Sequence, residues 1–185
     1  GWLGSDAAYA NPVRQRLRRT LITRADDFLA ASTRGASWFE SHGALPRHIR
    51  IAPIPPSFPI PAATANRTRS ERRYDLLWCG RTTKSKGFDI FVLIAAKLSK
   101  AGMAQRIAIA GSTDIPKTTE VLKSVGLENH ADVFDQLPPN ELPPILTNSK
   151  IALFPSRNDA YGVGVIDVIS CGAVAAAVRP GDGAG

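Results

Sequence analysis

Cysteine is scarce in this 185-residue chain, and the two that occur, Cys79 and Cys171, sit inside apolar runs. That excludes a disulfide framework and predicts buried free thiols in a reducing compartment, which points to the cytosol. Long hydrophobic runs are missing too. Nothing approaches the roughly 20 consecutive apolar residues of a membrane-spanning helix, and no secretory signal pattern is visible. The three histidines, His42, His48 and His130, are scattered, and there is neither an Asp-x-Asp pair nor a His/Cys cluster with metal-ligand spacing. No side chain stands out as a nucleophile, and there is no internal repeat. The chain opens on Gly-Trp rather than Met and stops in Gly-Asp-Gly-Ala-Gly, so both ends are read as cuts in a longer gene product.

What the chain has in excess is positive charge. With 23 Lys and Arg against 16 Asp and Glu, its net charge is +7. Such a balance suits nucleic acid, anionic lipid headgroups or a phosphorylated small molecule. One cluster (Arg14, Arg16, Arg18, Arg19) lies near the start and another (Arg67, Arg69, Arg72, Arg73) lies before the first strong strand. Aromatic and basic residues do not interleave as a base-stacking platform requires, which argues against nucleic acid. A chain of this length buries one good core and part of a second, so an α/β domain with an attached segment is allowed and two complete Rossmann domains are not.

Asn11-Pro12 is a helix entrance, and Val13, Leu17 and Leu21 recur behind it at helical spacing beside the arginines. Residues 27–31 read as a short buried strand, and Ser32 can cap a helix that carries Trp38 and Phe39 and stops at Gly43. Residues 48–54 read as a second strand. From 55 to 73 the composition turns to proline, threonine, asparagine and arginine with almost no apolar periodicity, which marks an exposed linker. Beyond it, strands over 75–79, 106–110, 131–134, 150–154 and 173–178 alternate with helices over 88–100, 117–125, 140–147 and 161–171. Short apolar strands alternating with amphipathic helices predict right-handed βαβ units, hence an α/β fold with a Rossmann-like, doubly wound parallel sheet and a partial second α/β domain. The expected organisation is therefore 1–56, a remnant of one domain; 57–73, a linker; and 74–185, the Rossmann-like domain.

Ligands of such sheets bind at the carboxyl ends of the strands. After the first strand of the regular domain comes Gly80-Arg81-Thr82-Thr83-Lys84-Ser85-Lys86-Gly87. It reads either as a solvated basic loop or as a diphosphate clamp, in which the Arg81 fork and the Lys86 ammonium converge on one crevice. After Phe154 comes Pro155-Ser156-Arg157-Asn158-Asp159-Ala160-Tyr161-Gly162-Val163-Gly164, and the following helix contains Asp167 and ends at Cys171-Gly172. Gly162 and Gly164 would let an anion approach the amides at that helix's N-terminus. Asp159 reads as a helix N-cap or a ligand contact. Asp167 reads as an exposed helical residue or, standing among apolar neighbours, as an acid suited to two vicinal hydroxyls such as those of a ribose.

In this order, a strand ending in Gly80-Arg81, then Lys86-Gly87, then a strand-Pro-Ser loop with Asp159 and Asp167 around Tyr161-Gly162 and a helix ending Cys171-Gly172, the chain resembles the family 4 glycosyltransferases of the two-domain GT-B fold. The resemblance covers residues 25–185, with 25–32 similar to the last strand of that family's acceptor domain and 51–56 leading into its interdomain linker. It implies that Arg81 and Lys86 bind the donor diphosphate and that the amides near Tyr161, Gly162 and Val163 bind its distal phosphate. Asp159 would meet the donor sugar hydroxyls and Asp167 the ribose, with Gly80 and Gly111 beside the nucleotide and the loop after Phe134 edging the base. The chain departs from the family in having aspartate at both acid positions, where glutamate is usual, and Asp135-Gln136 where a glycine is common.

The resemblance further implies transfer from a nucleoside-diphosphate sugar with retention of configuration and no required metal, in glycan or glycolipid biosynthesis. The acceptor would be a glycan, a lipid-linked molecule or a small molecule, and this fragment would bind donor without turning it over. Two other readings share these residues: a nucleotide-sugar epimerase of the same fold, and a non-enzymatic nucleotide-binding module. The Arg14 to Arg19 helix reads first as a solvated face and is compatible with peripheral docking on anionic lipid near a lipid-linked acceptor.

Overall fold

Helix entrances are written locally by cap residues and prolines. The Asn11 side chain accepts from the amides of Val13 (3.0 Å) and Arg14 (3.4 Å), and Pro12 occupies the first helical position, where its missing N–H costs nothing; together they start helix α1 (Pro12–Ile22). The computed structural model describes residues 11–60, 68–157 and 162–178. Contacts divide the chain into two compact units, Gly1–Pro55 and Pro56–Gly185.

In the first unit, strand β1 (Phe28–Ala30) is followed by helix α2 (Thr33–Ser41), whose cap Ser32 accepts from the Gly35 amide (3.2 Å). A short 3-10 turn, Pro46–His48, then leads into strand β2 (Ile49–Ile51), which pairs in parallel with β1. Ile22, Phe28 and Ala44 are buried, with Trp38, Phe39 and Ile49 packed against them. Both strands are shorter than the apolar runs suggest, because only three pairs of residues find partners. On α1 the residues at helical spacing, Val13, Leu17 and Leu21, are exposed in this structure.

The second unit alternates strand and helix: β3 (Tyr74–Cys79), α3 (Phe88–Lys100), β4 (Ile107–Ser112), α4 (Ile115–Ser124), β5 (Ala131–Asp135), α5 (Pro143–Thr147), β6 (Ser149–Phe154), α6 (Val163–Ser170) and β7 (Val174–Ala177). All five strands pair in parallel in the order β5-β4-β3-β6-β7. Side chains alternate across each strand, and both faces of the sheet are covered. Leu76, Trp78, Ile107 and Ile109 pack with Phe91 and Val92 of α3 on one face, while Leu77, Ala108 and Ala152 pack with Leu146 of α5 and Val168 of α6 on the other.

Prolines account for two differences from the sequence reading. Helix α4 begins at Ile115 because the Asp114 side chain accepts from the Lys117 amide (3.0 Å) and Pro116 fits within the first turn. Helix α5 begins only at Pro143, since consecutive prolines belong in a first turn and not in a helix interior. The segment read as an exposed linker is partly buried: Phe58 joins the core beside Leu77 and Val168, and the buried Arg72 guanidinium donates to the carbonyls of Ser149 (2.8 Å) and Cys171 (3.3 Å). An arginine can be buried in this way because those carbonyls, one at the C-terminal end of α6, satisfy its charge. Among the described residues no helix is long and apolar enough to cross a membrane.

Candidate functional site

Strand order locates the site. From β3 the chain moves outward to β4 and β5, then returns to the other side of β3 for β6 and β7. The crossovers on the two sides diverge, leaving a crevice at the carboxyl ends of β3 and β6, the switch point at which open parallel sheets bind ligands. The loop 80–87 and the loop that starts at Pro155 open there; Arg81 and Lys86 lie on the first, and Gly162 stands where the second enters α6.

Glycine permits the close approaches at this edge. Gly87 has φ +79°, and a Cβ built on it would stand 2.0 Å from the Pro155 carbonyl oxygen, so the two loops touch backbone to backbone. Gly111 has φ +98°, with a Cβ position 2.8 Å from the Gly80 carbonyl oxygen, which joins the ends of β3 and β4 in the same manner. The Gly80 carbonyl also accepts from the Trp78 indole N–H (2.7 Å), fixing where β3 stops. Beyond it, the short 3-10 turn Lys84–Lys86 folds the basic loop back toward β6.

Arg81 is exposed at the start of this loop, and its guanidinium has no partner among the described residues; Lys86 is half-buried at the loop's far end. Both stand at the switch point. Gly162, at φ +78°, is the residue before α6, and its carbonyl accepts from the Val165 amide (2.9 Å). Val163 begins that helix, and Gly164 lies where a Cβ would come 3.2 Å from the Phe154 ring and 3.5 Å from the Cys79 carbonyl oxygen, so α6 is seated on the ends of β3 and β6. Asp159 and Tyr161 lie outside the described residues.

Asp167 is buried, 4% exposed, and not on the open surface of α6. Its carboxylate is occupied: Oδ1 accepts from the Ser57 amide (2.7 Å) and Oδ2 from the Ser57 hydroxyl (2.8 Å). A buried charge needs such donors. The cysteines lie nearby, and both are free. Burial, with the Asp167 charge added, pushes the Cys79 thiol up to about 12 and the Cys171 thiol to about 11, so both stay protonated and non-nucleophilic at neutral pH.

Three further features of this edge escaped the sequence reading. Ser57 sits in a proline-rich segment with no pattern to single it out. At the ends of β3 and β4, the Thr82 hydroxyl meets that of Thr113 (3.1 Å) and accepts from the Thr113 amide (3.3 Å), while the buried Ser112 and Thr118 hydroxyls pair at 2.8 Å. Arg157, on the loop after β6, forms a two-pronged pair with Asp89 in the first turn of α3, at 2.6 and 2.8 Å. The guanidinium holds the Asp89 carboxyl below the ordinary carboxylate range. No local signal marks this pair, because Arg157 follows β6 by three residues while Asp89 lies in the first turn of α3.

Chemically, the edge offers a guanidinium and an ammonium beside glycine backbone and neutral hydroxyls. The chemistry of that set suits a polyanion and includes no activated nucleophile. Among the described residues there is no group of three or more His, Cys, Asp or Glu side chains able to hold a metal ion.

Comparison with known proteins gives the same location a family. The structure is similar to HepE of Anabaena, solved in complex with UDP-glucose, at 14% identity and a TM-score of 0.68, covering 95% of this chain and 51% of that one. It is similar to sucrose-phosphate synthase of Thermosynechococcus elongatus at 17% identity and a TM-score of 0.71, covering 96% and 47%. A third similar structure is TarM of S. aureus, in a complex containing UDP, at 13% identity and a TM-score of 0.71, covering 97% and 35%. TM-scores of this size at such low identity show a shared fold alone, that of GT-B glycosyltransferases, and the chain spans about half the length of the first two structures. No curated protein sequence matches it. The family model described as glycosyl transferases group 1 matches residues 61–184, about two thirds of the chain and the whole of the five-stranded sheet, and this protein therefore belongs to the group 1 glycosyl transferase family.

Proposed function

We propose that the second unit is the donor half of a glycosyltransferase that transfers a sugar from a nucleoside-diphosphate sugar to a glycan, lipid-linked or small-molecule acceptor in glycan or glycolipid biosynthesis. The observation that carries this is the meeting of the Arg81–Lys86 loop with the loop after β6 at the switch point of the sheet. As the glycosidic bond breaks, negative charge grows on the leaving diphosphate, and two fixed cations stabilise that charge more than they stabilise the ground state. On this reading Arg81 spans two phosphate oxygens, Lys86 supplies a point charge, and the amides near Tyr161, Gly162 and Val163 hold the distal phosphate. Asp159 meets the sugar hydroxyls, and Gly80 and Gly111 let the nucleotide approach the backbone. Transfer with retention and without a required metal belongs to the same proposal, the paired cations serving where a divalent ion would otherwise neutralise the diphosphate. So does a cytoplasmic location with a peripheral membrane contact, supported by the exposed Arg14, Arg16 and Arg19 of α1.

Calorimetry of the chain with UDP, GDP and ADP tests the binding step, and one of the three is expected to bind. Binding of none to a folded chain would reject the proposal. With a labelled nucleotide sugar, the isolated chain is expected to bind without turnover, whereas the whole protein transfers label to acceptor. Interconversion of the free nucleotide sugar would instead identify an epimerase.

Ser57 makes a separable prediction. We assign Asp167 to the ribose hydroxyls, which compete with the Ser57 hydroxyl for Oδ2. Ser57→Ala removes the hydroxyl competitor and keeps the amide bond to Oδ1. Affinity for the nucleoside diphosphate is expected to rise by about threefold, within the range of one hydrogen bond. If affinity stays level or drops in titrations of that variant, Asp167 is an anchor for residue 57 and not a ribose ligand.

A further inference from the structure

The chain connects the loop after β6 to the basic loop more firmly than packing alone would. Arg157 donates to both carboxylate oxygens of Asp89, from Nη1 at 2.6 Å and Nη2 at 2.8 Å. Nη1 also donates to the Lys84 carbonyl (2.7 Å), and the Arg157 amide donates to the Ser85 carbonyl (3.0 Å). These bonds end on Lys84 and Ser85, the first two residues of the 3-10 turn whose third residue is Lys86, and on Asp89 just past Gly87. Arg157 therefore grips the chain on both sides of Lys86.

A planar fork bonded to a carboxylate and a carbonyl at once fixes orientation as well as distance, which a flexible ammonium cannot reproduce. The pair is partly exposed, with side chains 37% and 46% accessible, and exposed ion pairs add little to global stability. An arrangement that contributes little to stability yet makes two hydrogen bonds to the turn and two to Asp89 just beyond it acts on the local geometry of that turn. We propose that Arg157 is a positioning residue of the diphosphate site, holding Lys86 in place through the Lys84–Lys86 turn with Asp89 as its counter-anchor; this role rests on the nucleotide-sugar reading above.

The test is a binding cycle on the full chain, using whichever of UDP, GDP or ADP the wild type binds, with Arg157→Lys, Asp89→Asn, Lys86→Ala and Arg81→Ala alone and in pairs. Arg157→Lys is expected to weaken binding by about tenfold with the melting temperature unchanged, and Asp89→Asn by a smaller factor, because the bond to the Lys84 carbonyl survives. In the Lys86→Ala background, Arg157→Lys should cost less than about twofold, because the group it positions is gone; in the Arg81→Ala background it should keep its full effect. An equal loss in both backgrounds, or wild-type affinity in both Arg157→Lys and Asp89→Asn, overturns the positioning role and leaves the nucleotide-sugar reading standing. No binding by the wild-type chain overturns both.

Discussion

Arg81→Ala is expected to weaken binding of the nucleoside diphosphate by roughly 10- to 100-fold while leaving the melting temperature of the chain where it was. The magnitude follows from the loss of charge-assisted hydrogen bonds to a diphosphate, about 1.5–3 kcal/mol at about 1.4 kcal/mol per tenfold. The unchanged stability follows from the structure: Arg81 is exposed, and its side chain has no partner among the described residues, so truncation leaves no buried group unsatisfied. Arg81→Lys keeps the charge and loses the fork, and should fall between wild type and alanine. Affinity in Arg81→Ala within twofold of wild type would remove Arg81 from the site. A fall in stability equal to the fall in binding would make it a structural residue.

Gly87→Ala is expected to damage both fold and site. Its left-handed backbone costs a non-glycine residue about 1–2 kcal/mol, and the added Cβ would stand 2.0 Å from the Pro155 carbonyl oxygen, forcing the two loops apart. With overpacking of about 1–3 kcal/mol added, the melting temperature should drop by about 10 °C. Nucleotide affinity should fall at least tenfold beyond what Arg157→Lys causes, because the loops themselves separate. Gly102→Ala is the matched control. Gly102 is also left-handed, at φ +71°, but nothing lies within 4 Å of its Cβ position. It should bear only the backbone term, a loss of about 3 °C, with binding intact. Equal losses in the two variants by calorimetric melting would show that the contact with Pro155 does not constrain the loops.

How far the site was readable from the chain differs by residue. The place of Arg81 and Lys86 at the carboxyl end of β3 was legible because they follow an apolar strand and are flanked by glycines, a local signal that survives any arrangement of the sheet. Asp167 was legible as unusual, an acid in an otherwise apolar helix, but its partner was not. Ser57 stands 110 residues away in a segment whose composition reads as exposed linker. The same composition hid Arg72, whose burial depends on carbonyls of β6 and the end of α6 that converge only in the folded unit. Nothing local singles out Arg157, since Asp89 lies 68 residues off, in the first turn of another helix.

Element type and the alternation of strand and helix were determined by the sequence alone, because apolar periodicity, caps and prolines act over a few residues and record which face of each element must leave water. The parallel sheet followed, since short strands joined by helical crossovers pair in no other way. What only the tertiary structure decided is where the order reverses. Periodicity says that β6 is buried but not on which side of β3 it lies, and that placement creates the crevice, brings Gly87 against Pro155, and lets Arg157 reach the turn that carries Lys86. Contacts of this kind depend on distances between elements rather than on the residues within one, and so they become visible only when the sheet is assembled.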